Sequence, residues 1–416
     1  MARITSGLAL IGVVLLALFA GPAAAQTNTP DESEGPGFIN IIEVSGLLDP
    51  ILANFIETSI ADSEASSARY LVINLNSSGS VISNSEFVAL ARRIQTSTVP
   101  VGIWVGPSGS EAKGLSAQLL GVVDSVGVPI GSRIGETGPQ VLPEDEFGVL
   151  FGEHAATLES SMIGSERVLE YGIAAAEAPT LGDFAVTLPG FETQEIEQDG
   201  RTVLEPRTAV RFSELQLIDQ LLHTVASPPV TYLLLGIGLA LIVFEFFTAA
   251  IGIAGMVGAA SVLLASYGLW VLPVRWWAVA AILLAFVVLS SDVQIGVPRG
   301  ATGAGLVLFG IGTVWFYDGV SVSWITLGGA IVSVALLFFF GMPTMVRTRF
   351  STPSIDRGWL VGEAAIASGQ LDPTGLVIVR GAQWRARSRS GALSDGDLVV
   401  VVAIDGTWLE VEPARR

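Results

Sequence analysis

The residues best suited to chemistry in this sequence are two serines on either side of its single lysine, Lys113. Ser110 precedes the lysine by three residues and Ser116 follows it by three, so one helix would place each pair on one face. A serine hydroxyl attacks at neutral pH only when a neutral base takes its proton. Burial would have to lower the pKa of Lys113, whereas the neighbouring Glu111 would raise it. The pattern alone is therefore a weak indication of catalysis.

Other residue types that commonly carry chemistry are scarce. His154 could act as a base for either serine, but a lone histidine in a Gly-Glu-His-Ala segment is more typical of a surface. Cysteine is absent, which excludes a thiol nucleophile, a disulfide and a cysteine-ligated metal. The carboxylates are scattered, and Glu144-Asp145-Glu146 falls in a polar loop. We therefore expect no metal and no cofactor.

Two turns could present backbone N–H groups to a ligand. The first, residues 76–80, follows a predicted strand and could stabilise an oxyanion. The second, Gly106-Pro107-Ser108-Gly109, leads into a helix predicted from Ser110 to Val123, whose N-terminus would favour an anion. Either turn could equally just join two elements.

Short apolar runs alternate with amphipathic stretches around these turns. This alternation predicts a parallel sheet with right-handed crossovers, an α/β domain at 38–190. Residues 191–229 would be a linker, irregular as far as 206, with a helix from Phe212 to Val225 that lies on the membrane or on this domain. We predict strands at 39–44, 70–75 and 101–105 and helices at 50–63, 83–96, 110–123 and 165–171.

The N-terminus has the features of a secretory signal. Arg3 precedes an apolar run from Leu8 to Ala20, and Ala23-Ala24-Ala25 suits a signal peptidase, so we predict a signal peptide at 1–25. An uncleaved anchor helix is the alternative, although the run is short for a membrane span. The polar, acidic residues 26–37 predict a disordered linker.

Residues 230–341 form a hydrophobic block in a chain whose mean hydropathy is +0.61. Arg347, Arg349 and Arg357 follow it and indicate a cytoplasmic linker at 342–357. With the α/β domain exported, the number of spans must be odd. Four spans would leave both soluble domains outside, which the arginines argue against. We therefore predict a multi-pass protein of the cell membrane with an extracytoplasmic α/β domain and a cytoplasmic C-terminal domain. The five predicted spans are 231–247, 251–272, 276–289, 303–317 and 322–340.

A weak internal repeat runs through the hydrophobic block. Glu245, followed by Gly252, Gly255 and Gly258, resembles Asp292, followed by Gly296, Gly300 and Gly303. Glu245 would be an intramembrane acid with a function or, as its place at a span end favours, a carboxylate at the membrane rim. A transporter-like bundle with both acids on a polar path is a further reading.

Residues 358–413 alternate short strands with turns, which predicts a small closed barrel such as the OB-fold. Basic residues with nearby tryptophans could bind single-stranded nucleic acid, but they equally suit a cytoplasmic face near anionic lipid. Because OB-folds host many functions and the fold alone does not select one, we predict no nucleic acid as a partner. The residues in question are Arg380, Arg385, Arg387, Arg389, Trp384 and Trp408.

Several segments together resemble the long-form NfeD family of membrane-bound ClpP-class serine proteases. The family's Leu-Asp-Thr-Pro-Gly-Gly corresponds to residues 75–80, its Pro-Ser-Gly-Ala segment to a stretch from Pro107, and its Pro-Gly-Ser-x-Ile-Gly to residues that end at Gly135. The most specific match is the C-terminal module, which includes Leu371-Asp372-Pro373-Thr374-Gly375 and Trp384. The resemblance implies a ClpP/crotonase-like α/β domain, a transmembrane bundle and an NfeD-type OB-fold domain.

The resemblance also implies a Ser-Lys dyad, and the dyad is not preserved here. Alignment without gaps places Gly114 at the nucleophile position and Lys113 at a neighbouring alanine. The family's base is a lysine further along the chain, where this sequence has none. The oxyanion turn is represented by Gly79 and Ser80, with Ser80 in place of glycine.

We therefore predict a catalytically inactive, protease-like domain in a membrane scaffold. The resemblance implies a stomatin- or flotillin-type membrane protein as partner, and we expect contact with the lipid bilayer and a homo-oligomer. The alternative is an active membrane-bound serine endopeptidase with a relocated nucleophile, for which Ser116 and Lys113 are the fallback candidates.

Overall fold

The computed structural model describes residues 37–198, 201–206, 208–248, 252–295, 297–349 and 358–414. The predicted signal peptide, the predicted N-terminal linker apart from Gly37, and Arg357 lie outside the described residues. The described residues form an α/β domain, a set of apolar helices and a C-terminal β-barrel. The predicted fold class is thus confirmed in each of its three parts.

The α/β domain is built on a nine-stranded, mostly parallel sheet. Its central strand, β2 (Tyr70–Ser80), pairs along one side with β1 (Ile39–Leu48). Along the other side, β2 pairs with β3 (Val101–Trp104) over its first half and with β4 (Glu111–Lys113) over its second half. Beyond β2 the sheet therefore divides into the branches β3-β5-β8 and β4-β6-β7. The elements are β1 (Ile39–Leu48), α1 (Pro50–Ala65), β2 (Tyr70–Ser80), α2 (Asn84–Gln95), β3 (Val101–Trp104), β4 (Glu111–Lys113), α3 (Leu115–Gln118), β5 (Ser125–Val128), β6 (Arg133–Gly135), α4 (Glu144–Phe147), α5 (Ala155–Ser160), β7 (Met162–Gly164), α6 (Ser165–Glu170), β8 (Ala176–Glu177), α7 (Leu181–Thr187), β9 (Thr193–Gln198), β10 (Arg201–Pro206), β11 (Val210–Ser213) and α8 (Leu217–Val225).

Helices α1 and α2 begin where their sequences supply caps. The carboxylate of Asp49 accepts the N–H of Leu52 at 2.8 Å, and Ser83 and Glu86 form a reciprocal capping box. Helix α2 buries an apolar stripe that includes Phe87 and Leu90 in the core. These helices lie close to their predicted positions because cap and stripe agree.

Strand β2 is longer than predicted. It continues through the segment predicted as a turn and ends at Ser80, because β1 stays paired with it past a bulge between Gly46 and Leu47. Ser77 also pairs with Ala112 of β4. Tertiary pairing thus overrides the turn preference of the Ser-Ser-Gly-Ser sequence.

The predicted helix from Ser110 to Val123 is wrong. Its first residues form β4, which pairs with both β2 and β6 and completely buries Ala112. Gly109 and Gly114 have φ values of +90° and +64°, which a continuous helix does not allow. Only α3 and a short 3₁₀ turn, Leu119–Gly121, are helical. The helix N-terminus expected after Gly106-Pro107-Ser108-Gly109 is therefore replaced by a strand.

Two further predictions fail between the sheet and the first membrane helix. Residues predicted as irregular form the antiparallel hairpin β9–β10. The overlooked signal was Asp199-Gly200, a dipeptide typical of hairpins. Phe212 lies in β11, where it pairs in parallel with Ile41 of β1, and only α8 remains of the predicted amphipathic helix.

Apolar helices are present at all five predicted spans. Among the described residues, four stretches are long and apolar enough to cross a membrane: Pro228–Thr248, Ile253–Val271, Trp276–Val293 and Trp324–Arg347. The fifth, Gly300–Val314, has 15 residues. The chain is thus an integral membrane protein with four candidate spans in the part that the structure describes, and the count of five crossings stays a prediction. In chain order the helices are α9 (Pro228–Thr248), α10 (Ile253–Val271), α11 (Trp276–Val293), α12 (Gly300–Val314), α13 (Trp324–Leu336), the π-helical turn Leu337–Gly341 and α14 (Met342–Arg349).

Exposed tryptophans and helix α8 lie at one end of the set of apolar helices, where α9 and α11 begin and α12 ends. The Tyr317 hydroxyl donates to the carbonyl of Pro228 at 2.6 Å, and the Arg275 N–H donates to Phe316, which brings three helix ends together. Helix α8 contacts α10 and leaves Leu217, Ile218 and Leu221 exposed. Aromatic rings and an exposed apolar helix face are typical of a membrane interface. The exposed tryptophans are Trp270, Trp276, Trp277, Trp315 and Trp324.

The C-terminal domain is a closed five-stranded barrel in the order β12-β13-β14-β16-β15. Alternate residues of each strand face the interior, where Val377, Val399 and Val411 are buried. The predicted alternation of short strands and turns in a small closed barrel is confirmed. The strands are β12 (Ala364–Ser368), β13 (Thr374–Val379), β14 (Ala382–Ser388), β15 (Leu398–Asp405) and β16 (Trp408–Pro413).

Candidate functional site

Gly114 lies at a sharp turn between β4 and α3. Its backbone angles, φ +64° and ψ −143°, fall in a region that residues with a side chain rarely adopt. A Cβ built on this glycine would lie 3.4 Å from the Cα of Gly79, in ordinary contact. Position 114 therefore faces the end of β2, where the sequence comparison placed the oxyanion turn.

Ser116 is completely buried next to this turn, and its hydroxyl is used within the protein. It donates to the carbonyl of Gly79 at 3.0 Å and lies 2.9 Å from the hydroxyl of Ser77. The Ser77 hydroxyl also donates to the Gly79 carbonyl, at 2.9 Å. These bonds fasten α3 to the end of β2. In this arrangement Ser116 supports the turn and presents no hydroxyl to solvent.

Lys113 does not share a helix face with either serine, contrary to the expectation. It lies on β4, and its ammonium pairs with the carboxylate of Glu136 at 2.6 Å while 42% of its side chain stays exposed. Glu111, expected to influence the lysine, pairs instead with Arg133 at 3.2 Å. An ammonium held by a carboxylate has no lone pair with which to accept a serine proton.

The oxyanion-turn residues are held by β1. Gly79 has a φ of +143°, a conformation that favours glycine. The hydroxyl of Ser80 donates to the carbonyl of Leu48 at 3.1 Å. Ser80 thus uses its side chain to join two strands at the position where the resemblance implies a glycine.

The other residues of the α/β domain considered for catalysis, His154 and Ser110, make contacts within the protein. His154 stacks on the ring of Tyr171 with 3.7 Å between centroids and lies 3.7 Å from the carboxylate of Glu153. Ser110 is buried, and its carbonyl accepts the N–H of Arg133 at 3.0 Å. In the described part of the chain, no group of three or more histidine or acidic residues could hold a metal ion.

Sequence reasoning missed a partly buried ion pair between the start of helix α1 and helix α8. The carboxylate of Asp49 lies 2.9 Å from Nδ1 of His223, and Nε2 of the same ring lies 2.9 Å from the carbonyl of Ser45. Both partners are acceptors, so the arrangement favours an imidazolium that donates from both nitrogens. The hydrogen bond to Asp49 raises the pKa of His223 above its usual value. The partners are 174 positions apart in the sequence, so no local signal indicated the pair.

Glu245 and Asp292 each bind the start of the following apolar helix. Glu245 accepts the N–H groups of Gly252 and Gly255, seven and ten residues later. Asp292 accepts those of Arg299 and Thr302 at the same spacing. The carboxylates therefore cap helix starts, where free N–H groups and the helix dipole favour a negative charge.

The same contacts correct the register of the predicted repeat. They align Gly255 with Thr302, and Gly258 with Gly305, rather than with Gly300 and Gly303. A Cβ on Gly258 would meet Ile242 of the preceding helix, and one on Gly305 would meet Leu289. Because glycine allows such close helix contact, these contacts and the caps fix the register.

The arginines of the barrel are engaged in different ways. Arg380 pairs with Glu363 at 2.6 Å, and Arg389 pairs with Glu410. Arg385 and Arg387 instead lie over the ring of Trp408, 5.8 and 5.9 Å from its centre. Arg380 also lies over a tryptophan ring, that of Trp359, at 5.4 Å from its centre.

Family models match two consecutive parts of the chain. Residues 229–342 match the NfeD integral membrane domain, and residues 357–413 match the NfeD-like C-terminal, partner-binding domain. The membrane-bound protease PH1510 of Pyrococcus horikoshii is 23% identical over 98% of both chains. The membrane protein NfeD1b of Bacillus subtilis is 22% identical over 97% of both.

Solved structures match the two ends separately. The 1510-N membrane protease specific for a stomatin homolog, from Pyrococcus horikoshii, is 18% identical, with 46% of this chain and 99% of that one covered at a TM-score of 0.36. The C-terminal domain of the stomatin operon partner protein 1510-C is 33% identical, with 15% and 98% covered at a TM-score of 0.15. The chain therefore matches the NfeD integral membrane domain and the NfeD-like C-terminal domain in its second half, and along almost its whole length it is similar to a membrane-bound protease and to NfeD1b.

Proposed function

We propose that this chain is a membrane-embedded binding partner of a stomatin-type protein, and that its protease-like domain does not hydrolyse peptides. The observation that carries the proposal is a glycine at position 114, on a turn of the kind that presents a nucleophile. The only lysine of the chain lies beside it in an ion pair. The domain thus has a protease-type backbone without the side chains of the reaction.

The backbone at Gly114 supports its assignment to the nucleophile position. Serine nucleophiles commonly occupy a strained turn from a strand into a helix, which exposes the hydroxyl. Gly114 ends β4, precedes α3, has a positive φ and faces Gly79. We therefore assign Gly79 and Ser80 to the oxyanion turn. A glycine at position 114 supplies no hydroxyl, and so no covalent intermediate can form there.

The surroundings also lack a suitable base. Ser116, the nearest fallback nucleophile, is buried and hydrogen-bonded to Gly79, and Lys113 pairs with Glu136. Every other basic side chain of the Lys/Arg type is an arginine, which stays protonated in proteins. This arrangement supports binding or scaffolding over catalysis.

The partner follows from the C-terminal domain and the relatives. The domain matches a partner-binding family model, and one relative with a solved structure is a stomatin operon partner. We propose that the barrel binds a stomatin-type membrane protein on the cytoplasmic side. The α/β domain then lies on the extracytoplasmic side after cleavage of the signal peptide, and all five apolar helices cross the membrane. The arginine at 347 supports this orientation.

Co-purification tests the partner. Full-length protein in mild detergent is expected to retain a co-expressed stomatin-type protein, and a variant that ends before residue 358 is expected to lose it. A matched variant without residues 193–206, the β9–β10 hairpin, should retain the partner. No retention by the full-length chain, or equal retention without the barrel, would contradict the proposal.

A further inference from the structure

The outer surface of the barrel carries an apolar patch that spans three neighbouring strands. Ile366 of β12 pairs in register with Ile378 of β13 on one side and Leu398 of β15 on the other. Ile366 is 46% exposed and Leu398 62%, and Leu376 of β13 is 39% exposed. We call Ile366, Leu376, Ile378 and Leu398 the aliphatic patch.

The patch is not an extension of the core. The residues that alternate with it, including Ala365, Val377 and Val399, are buried in the barrel. Four large aliphatic side chains thus lie on the outward face of a domain that already has a complete interior. A contiguous exposed apolar surface of this kind is typical of a binding surface.

Opposite charges lie on the two sides of the patch. On β14, Arg385 is directly opposite Leu376, and Arg387 is its outward neighbour. On β16, the exposed Glu412 is opposite Val400, next to the patch on β15. A partner that covers the patch therefore meets positive charge along one edge and negative charge along the other.

The closed barrel restricts how a partner can bind. Each strand pairs with a neighbour on both sides, so no strand edge is available for an added strand. Three strands spaced about 4.8 Å apart give a patch about 10 Å wide. An α-helix that lies across the strands would cover this width with two turns, about 11 Å of its length.

We propose that the aliphatic patch binds an amphipathic helix of the stomatin-type partner, one with an aliphatic stripe and with acidic residues at the end that faces Arg385 and Arg387. This inference rests on the proposed function and adds the surface and the chemistry of its ligand. Arg385 and Arg387 orient the helix by charge, and Trp408 holds both guanidinium groups in place.

Binding measurements on the full-length chain in lipid nanodiscs test the surface, with a purified stomatin-type protein as probe. The double variants Ile366→Ser/Leu398→Ser and Arg385→Glu/Arg387→Glu are expected to weaken binding at least tenfold. Val361→Ser is the matched control, because Val361 is 47% exposed but lies outside the patch, and it should change binding less than twofold. If the wild-type chain fails to bind, the proposed function is wrong. If it binds and both double variants bind equally well, only the surface is wrong.

A labelling experiment identifies what covers the patch without relying on the serine variants. The chain has no cysteine, so Ile366→Cys gives a single site for a fluorophore. The fluorophore should be quenched by iodide in nanodiscs and become protected when the stomatin-type protein is added. Quenching by a lipid-borne quencher before that addition would show that the bilayer covers the patch and would overturn the inference. Protection that depends on chain concentration alone would indicate a second copy and would also overturn it.

Discussion

At the scale of single residues, the chemistry of the α/β domain depends on what occupies a few positions around Gly114. The backbone turn is formed, yet the hydroxyl and the neutral base are absent from it. Part of this could be predicted, because one lysine in the whole chain already limits a Ser-Lys dyad. The buried contact between Ser116 and Ser77 could not, because it joins residues on different elements whose positions only the folded sheet determines.

Gly114→Ser tests both the geometry and the missing base. A serine at this φ and ψ should destabilise the domain by about 1–3 kcal/mol, because side chains disfavour this region. It should not create peptidase activity, since Lys113 is paired with Glu136 and His154 is stacked on Tyr171. Thermal unfolding and a fluorogenic peptide assay measure the two effects. Gly164→Ser is the control, because Gly164 has open space around its Cα and caps a helix, so the same change should be neutral or stabilising.

His223 should make stability depend on pH. Folding raises its pKa above about 6.5, so its contribution is complete below that value and is lost as pH rises through the folded-state pKa. His223→Gln should cost about 1–2 kcal/mol at pH 6 and much less at pH 9. Unfolding midpoints of the detergent-solubilised chain across this range check the prediction. Asp49→Asn should flatten the same part of the profile; an unchanged profile in both variants would exclude the pair as its source.

At the scale of elements, the sequence predicted most accurately where local signals agree with long-range pairing. Helix α2 has a capping box and an apolar stripe, so the predicted bounds of 83–96 lie within a residue of the observed Asn84–Gln95. Turn residues separate the barrel strands, so the alternation of strands and turns predicts the barrel. The prediction of a helix at residues 110–123 was wrong. Their sequence suits a helix, but the pairing of Ala112 with β2 and β6 imposes a strand. Such pairing joins distant segments and leaves little trace in a local pattern.

The carboxylate caps of the apolar helices give a prediction at this scale. Glu245→Ala and Asp292→Ala should each lower stability by about 1 kcal/mol, because two helix N–H groups lose their acceptor. Glu245→Gln should lose less, since its amide oxygen can still accept. Unfolding midpoints in detergent distinguish the variants. Equal losses of stability in Glu245→Gln and Glu245→Ala would show that the negative charge itself stabilises the helix start.

Solute flux across the membrane that both Glu245→Ala and Asp292→Ala abolish would favour the transporter-like bundle.

At the scale of the whole molecule, the order of α/β domain, membrane helices and barrel could be predicted because each part has its own pattern of hydropathy. The sides of the membrane depend on how many helices cross, and a 15-residue helix makes that number sensitive to one element. An odd number places the two soluble domains on opposite sides.

Cysteine labelling tests the orientation, because the chain has no cysteine of its own. With five crossings, an impermeant maleimide applied to the outside of spheroplasts should label Ser85→Cys in the α/β domain and leave Leu398→Cys in the barrel unlabelled. Leu398→Cys should react only after the membrane is permeabilised. Labelling of both sites from outside would show that an even number of helices crosses.

The chain is proposed to bind a stomatin-type protein without cleaving it, and the fate of that protein in the reconstituted complex tests this most directly. Intact mass spectrometry after prolonged incubation with the full-length chain should find the partner at its full mass, for the wild type and for Ser116→Ala and Lys113→Ala alike. Cleavage by the wild type that either substitution abolishes would contradict the account and would identify a relocated Ser/Lys nucleophile.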